Sequence, residues 1–286
     1  MELVLDAASL GGRSMPSLWA ASLDLPDTAP KAAPKASTAA VSMDGGVSMD
    51  RSLGYRAFAA RRASNALARG AVEIASLAGD EALWYPLPLI LVAVHAVFNI
   101  WGNDGVATLA ELFGDMGMLA CIETALKATF RRARPDYGAA APAFYVLPGE
   151  EYSFPSGHAM RSSFLAASLG LGRFVPIVGR ALSDDPRAQA LAAAAAVGVA
   201  ASRVAKGRHY PTDVVAGALL GLFMAHGAAL LGDAAWAALK VPCGIMMTLE
   251  ALACLAVPRW RTQGFQIHVA IQTLWWVAQF YGRLEF

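Results

Sequence analysis

From Ala82 onward, runs of about twenty mostly apolar residues alternate with short polar stretches, the pattern of helices that cross a bilayer. Ala82–Trp101 reads as the first span. Trp84, Tyr85 and Trp101 suit the headgroup depth, and Pro86 and Pro88 fall in the first turns, where a missing N–H costs least. Gly102–Gly105 reads as a tight turn, and the next spans as Val106–Leu126, Ala159–Val178, an Ala-rich stretch at roughly 188–202, and Val214–Leu231. Ser183-Asp184-Asp185-Pro186 is a helix-start signal for the fourth. Gly217 and Gly221 give the fifth a small-xxx-small face. Two more apolar segments, about 236–257 and 265–281, read as two further spans or one interfacial hairpin. The predicted fold is therefore all-α, a polytopic bundle of five to seven membrane segments.

The ends of the chain read differently. Residues 1–50 are rich in Ala, Ser, Pro and Asp, cannot bury a core, and read as a disordered tail. As a targeting segment the tail is impure, because Glu2, Asp6, Asp24 and Asp27 are foreign to transit peptides. Residues 51–79 set five arginines among Ala, Leu, Phe and Tyr, which predicts a basic amphipathic helix in the headgroup layer, with an ordinary surface helix as the alternative. A core membrane domain over 80–232 and a hydrophobic extension over 233–286 complete the division.

Composition agrees with a membrane protein. Hydrophobic residues make up 56% of the 286 and charged residues 16%, against about 25% charged in soluble domains. A net charge of +1 gives no reason to expect a nucleic-acid partner. Cys121, Cys243 and Cys254 are isolated in apolar runs and make neither a disulfide framework nor a zinc spacing. No cofactor or metal is expected.

Charges that interrupt the apolar pattern are the candidates for chemistry. Glu111, Asp115 and Glu123 fall inside the second span and should face the bundle interior, Glu123 pairing with Lys127 at i+4 on the helix surface. His95, His226 and His268 read as packing residues within apolar segments. Three polar stretches at span ends stand out. Lys127 and Arg134, seven apart, would share a helix face before Pro135 turns the chain out, while Arg131 and Arg132 read as anchors of the span end. Tyr152-Ser153-Phe154-Pro155-Ser156-Gly157-His158 runs into a helix whose N-terminal N–H groups suit an anion. Ser202-Arg203, then His209 and Asp213, offers a cation, a nucleophilic imidazole and a carboxylate at i+4 to fix its tautomer. Tracing spans two to five up and down puts all three ends on one membrane face.

Lys-(six)-Arg-Pro, Pro-Ser-Gly-His and Ser-Arg-(five)-His-(three)-Asp together resemble the three-part signature of the type 2 phosphatidic acid phosphatase superfamily of lipid phosphate phosphatases, with every signature position filled. The resemblance covers roughly residues 80–232, and Tyr-Ser-Phe-Pro-Ser-Gly-His-Ala looks most like its polyisoprenoid and presqualene diphosphate phosphatase branch. It implies a metal-independent membrane enzyme acting on a lipid phosphate. His209 would be the nucleophile, oriented by Asp213. His158 would be the acid and base, and Lys127, Arg134, Ser156, Gly157 and Arg203 would hold the phosphate. Isoprenoid diphosphates and phosphatidic, lysophosphatidic or sphingoid phosphates all fit such a site. A phosphotransferase, a vanadium-dependent haloperoxidase, and a non-catalytic scaffold or transporter are the competing classes. Excess Lys and Arg on the active-site face directs that face to the cytoplasm, or to the stroma of a plastid, with endoplasmic reticulum or plastid as candidate membranes.

Overall fold

The structure, a computed structural model, describes residues 45–137 and 152–256. The tail over 1–44, residues 138–151, and the segment 257–286 with the apolar stretch at 265–281 and His268 lie outside the described residues.

Ten helices follow one another among the described residues: α1 (Gly45–Ala63), α2 (Ala66–Ala78), α3 (Glu81–Trp84), α4 (Pro86–Phe98), α5 (Asn103–Phe130), α6 (Gly157–Gly170), α7 (Val175–Val178), α8 (Arg180–Ser183), α9 (Pro186–Ala205) and α10 (Pro211–Ala256). The fold is all-α. Within the described residues the only strand-like pairing is an isolated bridge between Ala133 and Tyr152. Asn103–Phe130, Pro186–Ala205 and the Pro211–Gly232 part of α10 are long and apolar enough to cross a membrane.

α5 is the buried spine. Its Leu112, Phe113, Met116 and Leu119 pack with Met160 and Phe164 of α6 and with Met224, Ala225 and Ala228 of α10. α6 and α10 lie unusually close. A Cβ on Gly217 would run into the Ser156 carbonyl, and one on Gly221 into the backbone of Met160 and Phe164. Only glycine permits that approach, and it brings the start of α6 against the start of α10. The outer surface carries Leu191, Val197, Leu219 and Phe223, all mostly exposed. Large apolar side chains exposed on helices long enough to span belong in lipid, and the protein is an integral membrane protein.

The buried charges are paired. Asp115, 1% exposed, accepts from Arg173 Nη2 at 2.9 Å and Trp236 Nε1 at 2.8 Å and lies 2.8 Å from Lys240 Nζ. It thereby clasps the part of α10 beyond Gly232, where φ of 72° breaks the helix. A carboxylate this deep would be intolerable without such partners.

Several sequence expectations shift. The first span divides into α3 and α4, because Pro86 lacks the N–H to continue α3, and α4 has only 13 residues. The turn expected at Gly102–Gly105 lies earlier. Asn99 closes α4 in the left-handed region and Trp101 N bonds to His95 Nδ1 at 3.1 Å, so His95 serves a turn. The third span stops at Gly170 and resumes as α7 after the positive-φ Gly172. One amphipathic helix over 51–79 becomes two, with Asn65 capping α2 through Ala68 N. His226 is exposed on α10 rather than packed inside, its Nδ1 2.9 Å from the Leu222 carbonyl of the preceding turn.

Candidate active site

Three chain breaks build the site. α5 ends when Arg131 turns into the left-handed region (φ 47°), four residues before the proline that was expected to end it. Lys127 is therefore in the last turn of α5, but Arg134 lies beyond the helix on extended chain, and the two do not share a helix face. The Ala133–Tyr152 bridge, with Ser153 N donating to Arg132 O at 2.8 Å, sets the second stretch alongside the first. Ser156 N donates to Asp213 O at 3.0 Å and ties the second to the third.

His209 occupies the loop between α9 and α10 and is 2% exposed. Its Nδ1 lies 2.7 Å from the Ser153 carbonyl, which fixes Nδ1 as the protonated nitrogen and leaves Nε2 with its lone pair. Asp213 was expected to hold that proton. Instead its Oδ2 stands 3.8 Å from Nδ1 and accepts from Tyr210 N at 2.8 Å. The reason is local: Asp213 is third in α10 and reaches back to the N–H just ahead of the helix, as a capping-box carboxylate does. Its Oδ1 accepts from Arg132 Nη1 at 2.6 Å. Burial above all, then the charges of Arg134, Arg203 and Lys127, push the His209 imidazolium well below its ordinary range. Three cations thus bear on one neutral ring.

Three buried polar atoms of these stretches find no hydrogen-bond partner among the described residues. Ser156 is the residue before α6 but its side chain does not cap the helix, and its buried Oγ is unpartnered. So are Nε2 of His158, 3.5 Å from Asp80 Oδ2, and Nε of Arg203, whose Nη1 donates to Ser76 Oγ at 2.6 Å. Arg134 Nη1 donates to Arg208 O at 3.0 Å. Buried polar atoms left this way are costly, and each is of a type that can donate to an oxyanion. The cationic donor set fits an anion. Among the described residues no group of carboxylate, imidazole or thiol ligands could hold a metal ion.

Lys127 and Gly157 meet at Glu123. Lys127 Nζ lies 2.6 Å from Glu123 Oε1, and Arg161 Nη1 lies 2.9 Å from Oε2. All three residues are buried, so the expected surface pair is an interior one. The Gly157 backbone lies on this carboxylate so closely that a Cβ would overlap it. Arg161 also donates from Nε to Gly79 O at 3.3 Å and approaches Glu81 at 3.6 Å.

Sequence reasoning missed Arg161, Asp80, Asp50 and the role of Arg132. An arginine inside an apolar span was a readable sign for the first, since a lone charge there is too costly to be idle. Nothing local marks Asp50 or Asp80, whose partners are 78 to 162 residues away.

Residues 108–236 match the family model described as PAP2 superfamily. A curated protein of Arabidopsis thaliana, "Probable lipid phosphate phosphatase beta", is 35% identical over 116 residues, which cover 34% of this chain. The chain spans about half, 53%, of that relative's length. A crystal structure titled as the first transmembrane PAP2 type phosphatidylglycerolphosphate phosphatase, from Bacillus subtilis, overlays with a TM-score of 0.49 at 25% identity, covering 64% of this chain and 86% of that one. The family match and the Arabidopsis relative mark this part of the chain as similar to the PAP2 superfamily.

Proposed function

We propose that this protein is a membrane phosphatase that removes phosphate from lipids through a phosphohistidine on His209. The observation that carries the reading is the buried neutral imidazole on which the charges of Arg134, Arg203 and Lys127 bear, with Ser156 Oγ, His158 Nε2 and Arg203 Nε left without hydrogen-bond partners among the described residues. His209 Nε2 attacks phosphorus, and the P–O bond to the lipid breaks. His158 gives its proton to the departing oxygen. Water, deprotonated by His158, then breaks the P–N bond and returns free phosphate and neutral His209. Lys127, Arg134 and Arg203, with Ser156 and the N-terminal N–H of Gly157, stabilise the charge on the phosphoryl oxygens.

The substrate class follows from location and resemblance. A site at helix ends, in a bundle with an apolar exterior, takes a phosphate at the headgroup plane on an apolar tail. The printed name of the Arabidopsis relative supports lipid phosphates. The run Tyr152–Ala159 favours isoprenoid diphosphates and monophosphates, and an endoplasmic reticulum or plastid membrane, with the site facing cytoplasm or stroma. Phosphate release from farnesyl or presqualene diphosphate and from phosphatidic acid, by the purified full chain, is the test. Faster release from the isoprenoids supports the narrower reading, preference for phosphatidic acid refutes it, and release from neither refutes the activity.

A further inference from the structure

Arg132 touches both groups that surround His209 Nδ1. Its side chain reaches one: Nη1 donates to Asp213 Oδ1 at 2.6 Å and to Thr212 Oγ1 at 2.7 Å. Its backbone reaches the other: the Arg132 carbonyl accepts from Ser153 N at 2.8 Å and Ser153 Oγ at 3.3 Å, and the Ser153 carbonyl is the acceptor for His209 Nδ1. The guanidinium lies over the Tyr210 ring, 4.1 Å from its centroid, next to His209 in sequence.

Arg132 is itself held from α1. Its Nη2 donates to Asp50 Oδ2 at 2.7 Å. Asp50, 5% exposed, also accepts from Thr212 N at 3.0 Å and Thr212 Oγ1 at 2.5 Å, so a carboxylate from α1 caps the start of α10. α1 is fixed there by Tyr137 Oη, which donates to Arg51 O at 2.9 Å, and by Phe58, which packs on the Gly207 turn. Gly207 adopts φ of 68°, and a side chain at that position would be both strained and pressed against Phe58.

The geometry points to Arg132 and Asp50 as positioning residues of the reaction, transmitting the seating of α1 to the angle of His209 through Asp213 and Ser153. This rests on the reading of His209 as nucleophile. Neither residue reaches the phosphate; each acts through what it holds. An attack needs its nitrogen in line with the scissile bond, and a misplacement of about 1 Å can cost roughly 10²-fold. Because the donors that bind phosphate lie elsewhere, loss of aim lowers kcat and leaves KM nearly unchanged.

Full-length Arg132→Gln, Arg132→Lys, Asp50→Asn and the Arg132→Gln/Asp50→Asn double variant, with wild type and His209→Ala, are compared for kcat, KM, melting temperature and the rate of phosphate incorporation into His209 in a single turnover. Arg132→Gln should lose about 100-fold in kcat and in labelling rate at near wild-type KM. Arg132→Lys should recover part, Asp50→Asn should lose about tenfold, and the double variant should be no worse than Arg132→Gln, since the two act as one unit. Losses that merely track the folded fraction, a rise in KM at constant kcat, or a double variant whose loss is the product of the singles would overturn the assignment. Wild type that labels while every Arg132 and Asp50 variant matches it sinks this assignment alone. Wild type that never labels His209 sinks the phosphohistidine reading and this one with it.

Discussion

Substituting Glu123 by Gln tests how the buried charges are balanced. The carboxylate lies between Lys127 Nζ, 2.6 Å away, and Arg161 Nη1, 2.9 Å away, with all three groups shielded from water. Gln keeps the shape and one acceptor oxygen but removes the formal negative charge that touches Lys127. Breaking a buried pair from one side costs about 3–5 kcal/mol, because the surviving charge stays buried. Two cations are stranded here, yet the amide oxygen still accepts one hydrogen bond and Glu81 remains 3.6 Å from Arg161. These offsets put the cost near the lower end, about 3 kcal/mol. At roughly 2–4 °C per kcal/mol for a domain of this size, the melting temperature in detergent should fall by about 6–12 °C. Turnover should fall as well, since Lys127 loses its anchor. The double variant Glu123→Gln/Arg161→Gln, which strands one cation fewer, should recover part of the melting temperature. A single variant that melts within about 2 °C of wild type with full turnover would refute the argument that this carboxylate balances the two cations.

Gly157→Ala should be worse than a helix-start substitution usually is, because its methyl group overlaps the Glu123 carboxylate; turnover and melting temperature both drop, and a wild-type result in either refutes the packing. Turnover should not fail as pH drops through 6.5, the ordinary imidazole value, because burial and cations keep His209 neutral there. A cation beside the ring disfavours imidazolium, so Arg134→Gln should raise the His209 pKa and move the acid limb of the rate profile to higher pH, besides lowering the plateau; a limb that stays or moves to lower pH contradicts this. The same burial makes the unfolded chain bind a proton below 6.5 that the folded chain refuses, so stability should decline on that side. Activity should persist in EDTA, since Lys127, Arg134 and Arg203 supply the positive charge a metal would bring and would repel one; loss of activity restored by a divalent cation would count against the scheme.

The hydrophobic pattern made the bundle legible because a bilayer demands long apolar helices, as α5, α9 and the first half of α10 show. It misplaced ends set by short-range chemistry: Pro86 splits the first span, and Arg131 in the left-handed region ends α5 before Pro135 can. The candidate residues were legible as types, and burial with the charges of Arg134, Arg203 and Lys127 holds the His209 imidazolium down. Their partners were not. Spacing offered Asp213 to His209 at i+4, but helix capping claims that carboxylate and a main-chain carbonyl of Ser153 stands closer, which no side-chain motif can announce. Asp50 and Arg132 are 82 residues apart, and only the folded chain makes them one unit.

The account turns on whether His209 carries phosphate. Wild type and His209→Ala, incubated with 32P-labelled lipid phosphate and quenched in alkali, where a phosphoramidate survives and acyl phosphates do not, give the direct answer. The account predicts acid-labile label on wild type that maps to His209, and none on the folded His209→Ala protein. Label that persists in that variant, or turnover by wild type with no covalent label at any quench time, would contradict it.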